Sequence, residues 1–408
     1  MSFIQRAKCR TCESSLLKVI LDLGLQPLAN AIRPIRGSAG EIRYPLRLVH
    51  CGACGLVQID VDVNANLMFS DYNWVTSTSS STIQHCKNFV AESIKKSQIN
   101  CVSILEVGSN DGSLLNEYAK AGLEILVGVE PAWNLSSEYE NGIMAENLFF
   151  SLKTADSILK KYGCFDVVVA RNVFSHIPDF FDVIAGVSTL MHDDSVFFME
   201  FHWAYEILQG VHYDSIYHEH SYYHSISSVS QALNKFNLKA FDVFKSPISG
   251  GSLVLAVSKK ARTLSFDLQE FRQIEARHRV EEYATWQQFG TKSLENISQL
   301  RDLIESFSSK RICAFGASAR SSTILNSVGI TANKILSIGE NNPRKWGRYS
   351  PGFEIPIEPV EKMLSRNPDL IILFPFNFKD EILSQLLKMN WSGLVVIPIP
   401  HPPELIEL

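Results

Sequence analysis

No stretch of the 408 residues is apolar for the roughly 20 positions that span a bilayer; runs such as 370–374 are far shorter. The first residues, Met-Ser-Phe-Ile-Gln-Arg, lack the apolar core of a secretory signal. A cytoplasmic protein with no membrane partner is therefore expected. There is also no excess of positive charge. The formal net charge is -5, so no global basic field attracts a nucleic acid polymer, and clusters such as Lys160-Lys161 read as solvated helix surface. Cysteine is too sparse for a disulfide scaffold, at eight in the whole chain. With 46% hydrophobic and 20% charged residues, the composition is that of a folded globular chain, long enough for two or three domains.

The placement of the cysteines says more than their number. Cys9 and Cys12 form one C-x-x-C pair, and Cys51 and Cys54 form another. Two such knuckles supply four thiolates to a tetrahedral zinc and leave no open coordination position, so the expected ion is structural. Cys86, Cys101, Cys164 and Cys313 stand singly, as small buried hydrophobes do.

From about residue 101 the pattern alternates between apolar strands and helices. Strands are expected at 102–107, 124–129, 165–170 and 195–201, with a helix at 114–121. Such alternation argues a parallel, doubly wound sheet. A charged, helix-favouring stretch, 266–307, leads into a second alternation with strands at 311–315, 334–339, 370–374 and 394–397. The fold class is thus α/β: a zinc module (1–70), a central Rossmann-like domain (71–260) and a second Rossmann-like domain (261–408).

Two glycines in Gly108-Ser109-Asn110-Asp111-Gly112 let the backbone approach a ligand at a helix N-terminus. Glu130 closes the following strand, where a carboxylate accepts ribose hydroxyls. Acidic Glu106 and Asp111 disfavour a pyrophosphate and suit a cofactor carrying a sulfonium and an amino group. The loop therefore prefers S-adenosylmethionine to NAD, and a plain tight turn is the bland alternative. Tyr217-His218-Glu219-His220 holds four polar side chains in a row, with a histidine able to take a carbon-bound proton and Glu219 able to orient a histidine or a sugar hydroxyl. A surface loop or a second metal site would explain the same residues. His176 ends the segment Asn172-Val173-Phe174-Ser175-His176, at the strand end where substrates meet such sheets. In the last unit Gly316-Ala317-Ser318-Ala319-Arg320 opens a helix, and Lys345 follows the next strand. Phosphate binding and close helix packing are both open there.

Taken as a set and in order, the cysteine pairs, Leu23-Gly24-x-x-Pro27-x-Ala29-Asn30, Glu106-Val107-Gly108-x-Asn110-Asp111-Gly112, Tyr217-His218-Glu219-His220, Gly250-Gly251-Ser252-Leu253 and Gly316-Ala317-Ser318-Ala319 resemble the deoxysugar C-methyltransferases. The resemblance runs almost the whole length. It implies a zinc module, a class I methyltransferase domain, a C-terminal Rossmann-like domain, and methylation at C3 of a dTDP-linked 4-keto-deoxyhexose through an enolate. By the same resemblance His220 is the base with Tyr217 and Glu219 beside it, His176 contacts the sugar, and Tyr72 joins the active site. Glu106, Gly108, Asn110, Asp111, Gly112, Glu130 and Asn172 are assigned to the cofactor. Gly251, Ser252, Ser318, Arg320 and Lys345 are assigned to the nucleotide sugar. Ser249 and Val254 stand where the family often has histidine and arginine, and His224 and Trp74 where tyrosine is frequent. The alternatives are O-methylation on the same fold, an NAD-dependent nucleotide-sugar dehydrogenase or epimerase, and a non-catalytic interaction protein. A monomer is compatible with these residues.

Overall fold

A computed structural model describes residues 3–34, 37, 40–69, 75–136, 139 and 142–408. Its centre is a seven-stranded sheet in the order Lys239–Ser246, Ser252–Ser258, Met191–His202, Phe165–Arg171, Ser103–Val107, Ile125–Val129 and Ile143–Glu146. The five strands from Met191–His202 to Ile143–Glu146 run parallel, and Ser252–Ser258 is antiparallel to both its neighbours. Ser103–Val107 is buried at every position because helices cover both faces, which is why it reads as an unbroken apolar run. Phe89, Val90, Leu114 and Leu115 pack on one face. Ala155, Ile158, Val183 and Ile184 pack on the other.

Strand order reverses between Ser103–Val107 and Phe165–Arg171, since the chain winds outward to Ile143–Glu146 before returning. At such a reversal the loops at the strand ends diverge and leave a crevice. The sequence places Gly108 and Asn172 on its two lips.

The C-terminal sheet has six strands, in the order Ile357–Pro359, Ile335–Glu340, Ile312–Phe315, Leu370–Leu373, Leu394–Ile397 and Glu404–Glu407. It reverses in the same way, between Ile312–Phe315 and Leu370–Leu373. The expected helical stretch becomes two helices, Phe266–Arg277 and Tyr283–Ser306. No helix among the described residues is long and apolar enough to cross a membrane.

The N-terminal part forms a four-stranded sheet, Tyr222–Tyr223, Val57–Ile59, Arg43–Cys51 and Leu17–Pro27. Its edge strand, Tyr222–Tyr223, comes from the chain just after His220, so the two units share a sheet. Leu17–Pro27 was not legible beforehand: its turn-like Gly24 and Pro27 hide a strand with irregular pairing. The sulfurs of Cys9, Cys12, Cys51 and Cys54 all lie within 4.8 Å of one another. Cys9 and Cys54 are 3.6 Å apart and Cys12 and Cys51 3.5 Å, too far for disulfides. Four thiolates on a tetrahedral zinc with bonds of about 2.3 Å stand close to these separations. The donor set fits a structural zinc, which would clamp the turn at 9–12 to the end of strand Arg43–Cys51.

One zinc per chain is therefore expected by elemental analysis. Cys12→Ser should lower both the zinc content and the melting temperature, the latter by several degrees, since such a site contributes folding energy directly. Full metal loss with an unchanged melting temperature would contradict a structural role.

Candidate functional site

A single cavity of about 650 Å³ is lined by all three parts of the chain. Its first end is the crevice of the central sheet. Gly108 takes φ +68°, and a Cβ there would lie 2.4 Å from Val173 Cγ2, so only glycine lets the two lips close. Glu130 is buried and accepts hydrogen bonds from the amides of Asn110 and Ala132, both at 2.9 Å. Burial raises its pKa above the usual carboxylate range. Each carboxylate oxygen keeps a further lone pair for a hydroxyl donor. Val129, Pro131, Leu148, Phe149 and Phe150 complete an apolar slot beside it. The geometry fits a nucleoside whose ribose meets Glu130.

Not every expected cofactor residue reaches this end. Gly108, Asn110, Glu130 and Asn172 line the cavity, whereas Glu106, Asp111 and Gly112 lie behind it. Glu106 is fully buried and ion-paired with Arg171 at 2.9 Å, and burial still lifts its carboxyl to about 7. Asp111 accepts from the Ser77 amide at 2.9 Å and from Ser113 Oγ at 2.7 Å. Asn110 Oδ1 likewise accepts from the Thr76 amide. These two side chains fasten the segment leading into helix Ser80–Ser97 over the glycine loop.

The middle of the cavity carries Tyr217, His220 and His176. His220 Nδ1 is 2.9 Å from the Ser215 carbonyl, which can only accept, so Nδ1 bears the proton. Nε2 is then a lone pair, and the Tyr217 hydroxyl donates to it at 2.6 Å. The His176 and His220 rings meet edge to face at 4.9 Å. Burial holds both histidines neutral: His176 falls to about 4, and His220 falls well below 6.5 with help from His176 and Arg320. Glu219 faces away from the cavity. It accepts from Asn30 Nδ2 at 2.5 Å, and burial raises its carboxyl to about 7. Asn30, not Glu219, lines the cavity. His218 also turns outward, with Nε2 3.2 Å from the Pro45 carbonyl. Tyr72 lies outside the described residues, as does Trp74.

The far end is built on the second sheet reversal. Ser318 caps helix Ala319–Val328, and Ser318, Ala319 and Arg320 line the cavity with Lys345. Both cations are already engaged. The Arg320 guanidinium lies 2.7 and 3.0 Å from the two Asp214 oxygens, and donates to the Ser249 carbonyl at 2.9 Å. Lys345 Nζ donates to the Ala317 carbonyl at 2.8 Å and stands 3.5 Å from Glu340. Gly251 and Ser252 do not reach the cavity; a Cβ on Gly251 would strike Glu206, and Ile248 and Ser249 form the wall instead.

Sequence reasoning missed Asn30, His85, Glu200 and His202 as lining residues. His85 Nε2 is 3.0 Å from Glu200 Oε1, and Ser246 also donates to that carboxylate. His202 directly follows the expected strand 195–201. The rule that ligands meet strand C-termini could have found it.

Comparison with known proteins agrees with this layout. The model of the C-methyltransferase C-terminal domain matches residues 247–400, a zinc binding domain of methyltransferases matches 9–69, and a methyltransferase domain matches 79–243. C-methyltransferase NovU of Streptomyces niveus is 28% identical over 403 residues, covering 97% of this chain and 96% of that protein. Among solved structures, the SAM-bound magnesium protoporphyrin IX methyltransferase of Synechocystis PCC 6803 is 14% identical, covering 44% of this chain and 80% of its own, with a TM-score of 0.34. An S-adenosylmethionine-dependent methyltransferase of Clostridium acetobutylicum is 12% identical, over 44% of this chain and 92% of its own, with a TM-score of 0.34. With three domain matches in order and a relative aligned from end to end, the chain is an S-adenosylmethionine-dependent methyltransferase with an N-terminal zinc-binding domain, similar along its whole length to a C-methyltransferase.

Proposed function

We propose that the protein methylates C3 of a dTDP-linked 4-keto-deoxyhexose through an enolate. The observation that carries this reading is the His220 lone pair, fixed on Nε2 and turned into the same cavity as the Gly108 loop. The cofactor, when bound, supplies an electrophilic methyl group on a sulfonium. An oxygen nucleophile needs little activation beyond proton removal, whereas a sugar carbon needs both an adjacent ketone and a base. A C4 ketone acidifies the C3 proton, and His220 Nε2 accepts it, directly or through the Tyr217 phenol. The resulting imidazolium is held by the Ser215 carbonyl. Charge developing on the enolate oxygen needs a hydrogen-bond donor nearby, which is often the largest catalytic contribution. His176 is the described residue best placed for it. The far end suits a diphosphate: the Ser321 amide is taken up by Ser318 Oγ, but the Ala319 and Arg320 amides open helix Ala319–Val328 without intrahelical acceptors and carry partial positive charge. Because Arg320 and Lys345 are paired with Asp214 and Glu340, these amides and Ser318 carry more of the anion than the side-chain charges do.

Incubating the protein with S-adenosylmethionine and a dTDP-4-keto-deoxyhexose should give a product heavier by one methyl, with NMR showing a new carbon-carbon bond at C3. An O-methyl product, or none across a panel of such sugars, would sink the proposal. His220→Asn should lose about 10²–10⁴-fold in turnover, the usual worth of a general base. The variant should still be stabilised against heat by S-adenosylhomocysteine, and exchange of the C3 proton with deuterated solvent should disappear with turnover.

The cofactor end is tested separately. Glu130→Ala should weaken S-adenosylhomocysteine binding by about 10–100-fold, the worth of one charge-assisted hydrogen bond. Calorimetry showing parental affinity would remove Glu130 from the site.

The pH profile follows from the lowered pKa of His220. A depressed pKa keeps the base unprotonated to lower pH. The rate per free enzyme, kcat/KM, should therefore hold through about pH 6.5, where an unperturbed histidine loses its lone pair. An acid limb at or above that pH, absent from the residual activity of His220→Asn, would show a normal histidine instead.

A further inference from the structure

Two buried histidines next to the site take no part in the chemistry above. His202 ends strand Met191–His202 and lines the cavity at 6% exposure. His212, at 4% exposure, stacks on it with ring centroids 5.7 Å apart and planes 24° from parallel. His202 Nε2 and His212 Nδ1 are both buried with no hydrogen-bond partner among the described residues. Buried polar atoms are nearly always paired, so an orphan on a cavity wall points to a bound group that completes it. Of the two rings only His202 reaches the wall. No third histidine, cysteine or carboxylate among the described residues joins the pair in a group that could hold a metal.

The position of His202 says which part of a ligand it meets. Burial, then the neighbouring Arg320, His212 and His220, hold its ring neutral. The His212 ring stacked on it packs 4.9 Å from Phe376, and the Arg320 guanidinium lies over that Phe376 ring at 4.9 Å. His202 thus stands toward the anion end of the cavity that also holds His220. His220 marks the carbon that loses its proton, and Ser318 with the first turn of Ala319–Val328 marks the diphosphate. In a hexose methylated at C3 and carrying its diphosphate at C1, the ring atom between these two is C2. We propose that His202 hydrogen-bonds the C2 substituent of the sugar and so selects substrates that keep a C2 hydroxyl over 2-deoxy sugars. This rests on the C3 reading given above. A neutral imidazole offers one donor and one acceptor, and a hydroxyl can satisfy either tautomer. A methylene at C2 would leave the nitrogen dehydrated and unpaired, and a site built to bind a hydroxyl rejects ligands that lack it.

The test compares kcat/KM of the full chain on two dTDP-4-keto-deoxyhexoses that differ only at C2, hydroxyl against deoxy. The hydroxy sugar should be favoured by about 10–100-fold. His202→Phe keeps an aromatic ring against His212 and should bring the ratio near unity, mainly by slowing the hydroxy sugar. His202→Gln, which retains a donor and an acceptor, should keep part of the preference. Stabilisation by S-adenosylhomocysteine reports that each variant is folded, and the unaltered chain decides the matter if neither is. Equal rates on both sugars, or undiminished preference in His202→Phe, would overturn the assignment. Methylation at C5, the other carbon beside the ketone, would overturn it while leaving the sugar reading intact. A chain that methylates neither sugar would remove both.

Discussion

The hydrogen bond from His220 Nδ1 to the Ser215 carbonyl is the constraint on which the site depends, because it decides which ring nitrogen keeps its lone pair in the cavity. A bond between two residues of one loop is worth little unless the loop is rigid. The segment 213–221 is held from every side. Asp214 pairs with Arg320, and the Ile216 carbonyl accepts from Thr323 Oγ1 at 3.2 Å, both from the C-terminal unit. His218 reaches the Pro45 carbonyl and Glu219 holds Asn30, both in the N-terminal part. The Ser221 amide donates to the Ser175 carbonyl at 2.6 Å, in the central unit. Three units therefore close on one loop, and removing Arg320 or Asp214 would leave a buried charge unpaired, at a cost of about 3–5 kcal/mol.

The two Rossmann-like units solve the same local problem in the same way. Gly108 donates to the Val129 carbonyl and Gly316 to the Gly339 carbonyl, each at 2.8 Å. Glu130 accepts from Asn110 and Ala132, and Glu340 accepts from the amides of Ala317 at 2.9 Å and Asn342 at 3.0 Å. In both, a carboxylate at a strand end collects the amides that the glycine turn leaves unpaired. The difference lies in what comes next. Lys345 approaches Glu340, whereas Glu130 has no cation beside it among the described residues and lines the cavity. A free lone pair facing a cavity suits a ribose hydroxyl; a carboxylate shared with a lysine suits a scaffold.

Much of this was legible in the sequence because it depends on local rules. Buried parallel strands read as apolar runs, so Ser103–Val107, Phe165–Arg171 and Ile335–Glu340 fall within a residue or two of expectation. The cysteine spacing carried the metal cluster, since ligand type and knuckle length determine it. Leu17–Pro27 was hidden because its register slips twice against its partner, which breaks the alternation that marks a strand. Side-chain direction was the harder matter. Tyr217, His218, Glu219 and His220 are adjacent in sequence, yet two face the cavity and two face the N-terminal sheet. Asp111 and Glu106 look like cofactor ligands by type and spacing, and only their partners, Ser77 and Arg171, reveal them as fasteners.

The metal cluster lies apart from the histidines of the cavity, yet it bears on them through Asn30. The zinc knuckles close the sheet from which strand Leu17–Pro27 runs out, and Asn30 follows three residues after that strand ends. There its side-chain amide donates to Glu219, a carboxyl buried directly beside His220 in sequence. Without that donor the buried Glu219 would lose part of its hydrogen bonding, which favours a shift of the peptide between 218 and 220. A shift of that peptide would carry His220 away from Ser215. The cysteine cluster thus bears on the setting of His220 without touching it, through the position of one strand and the amide beyond its end.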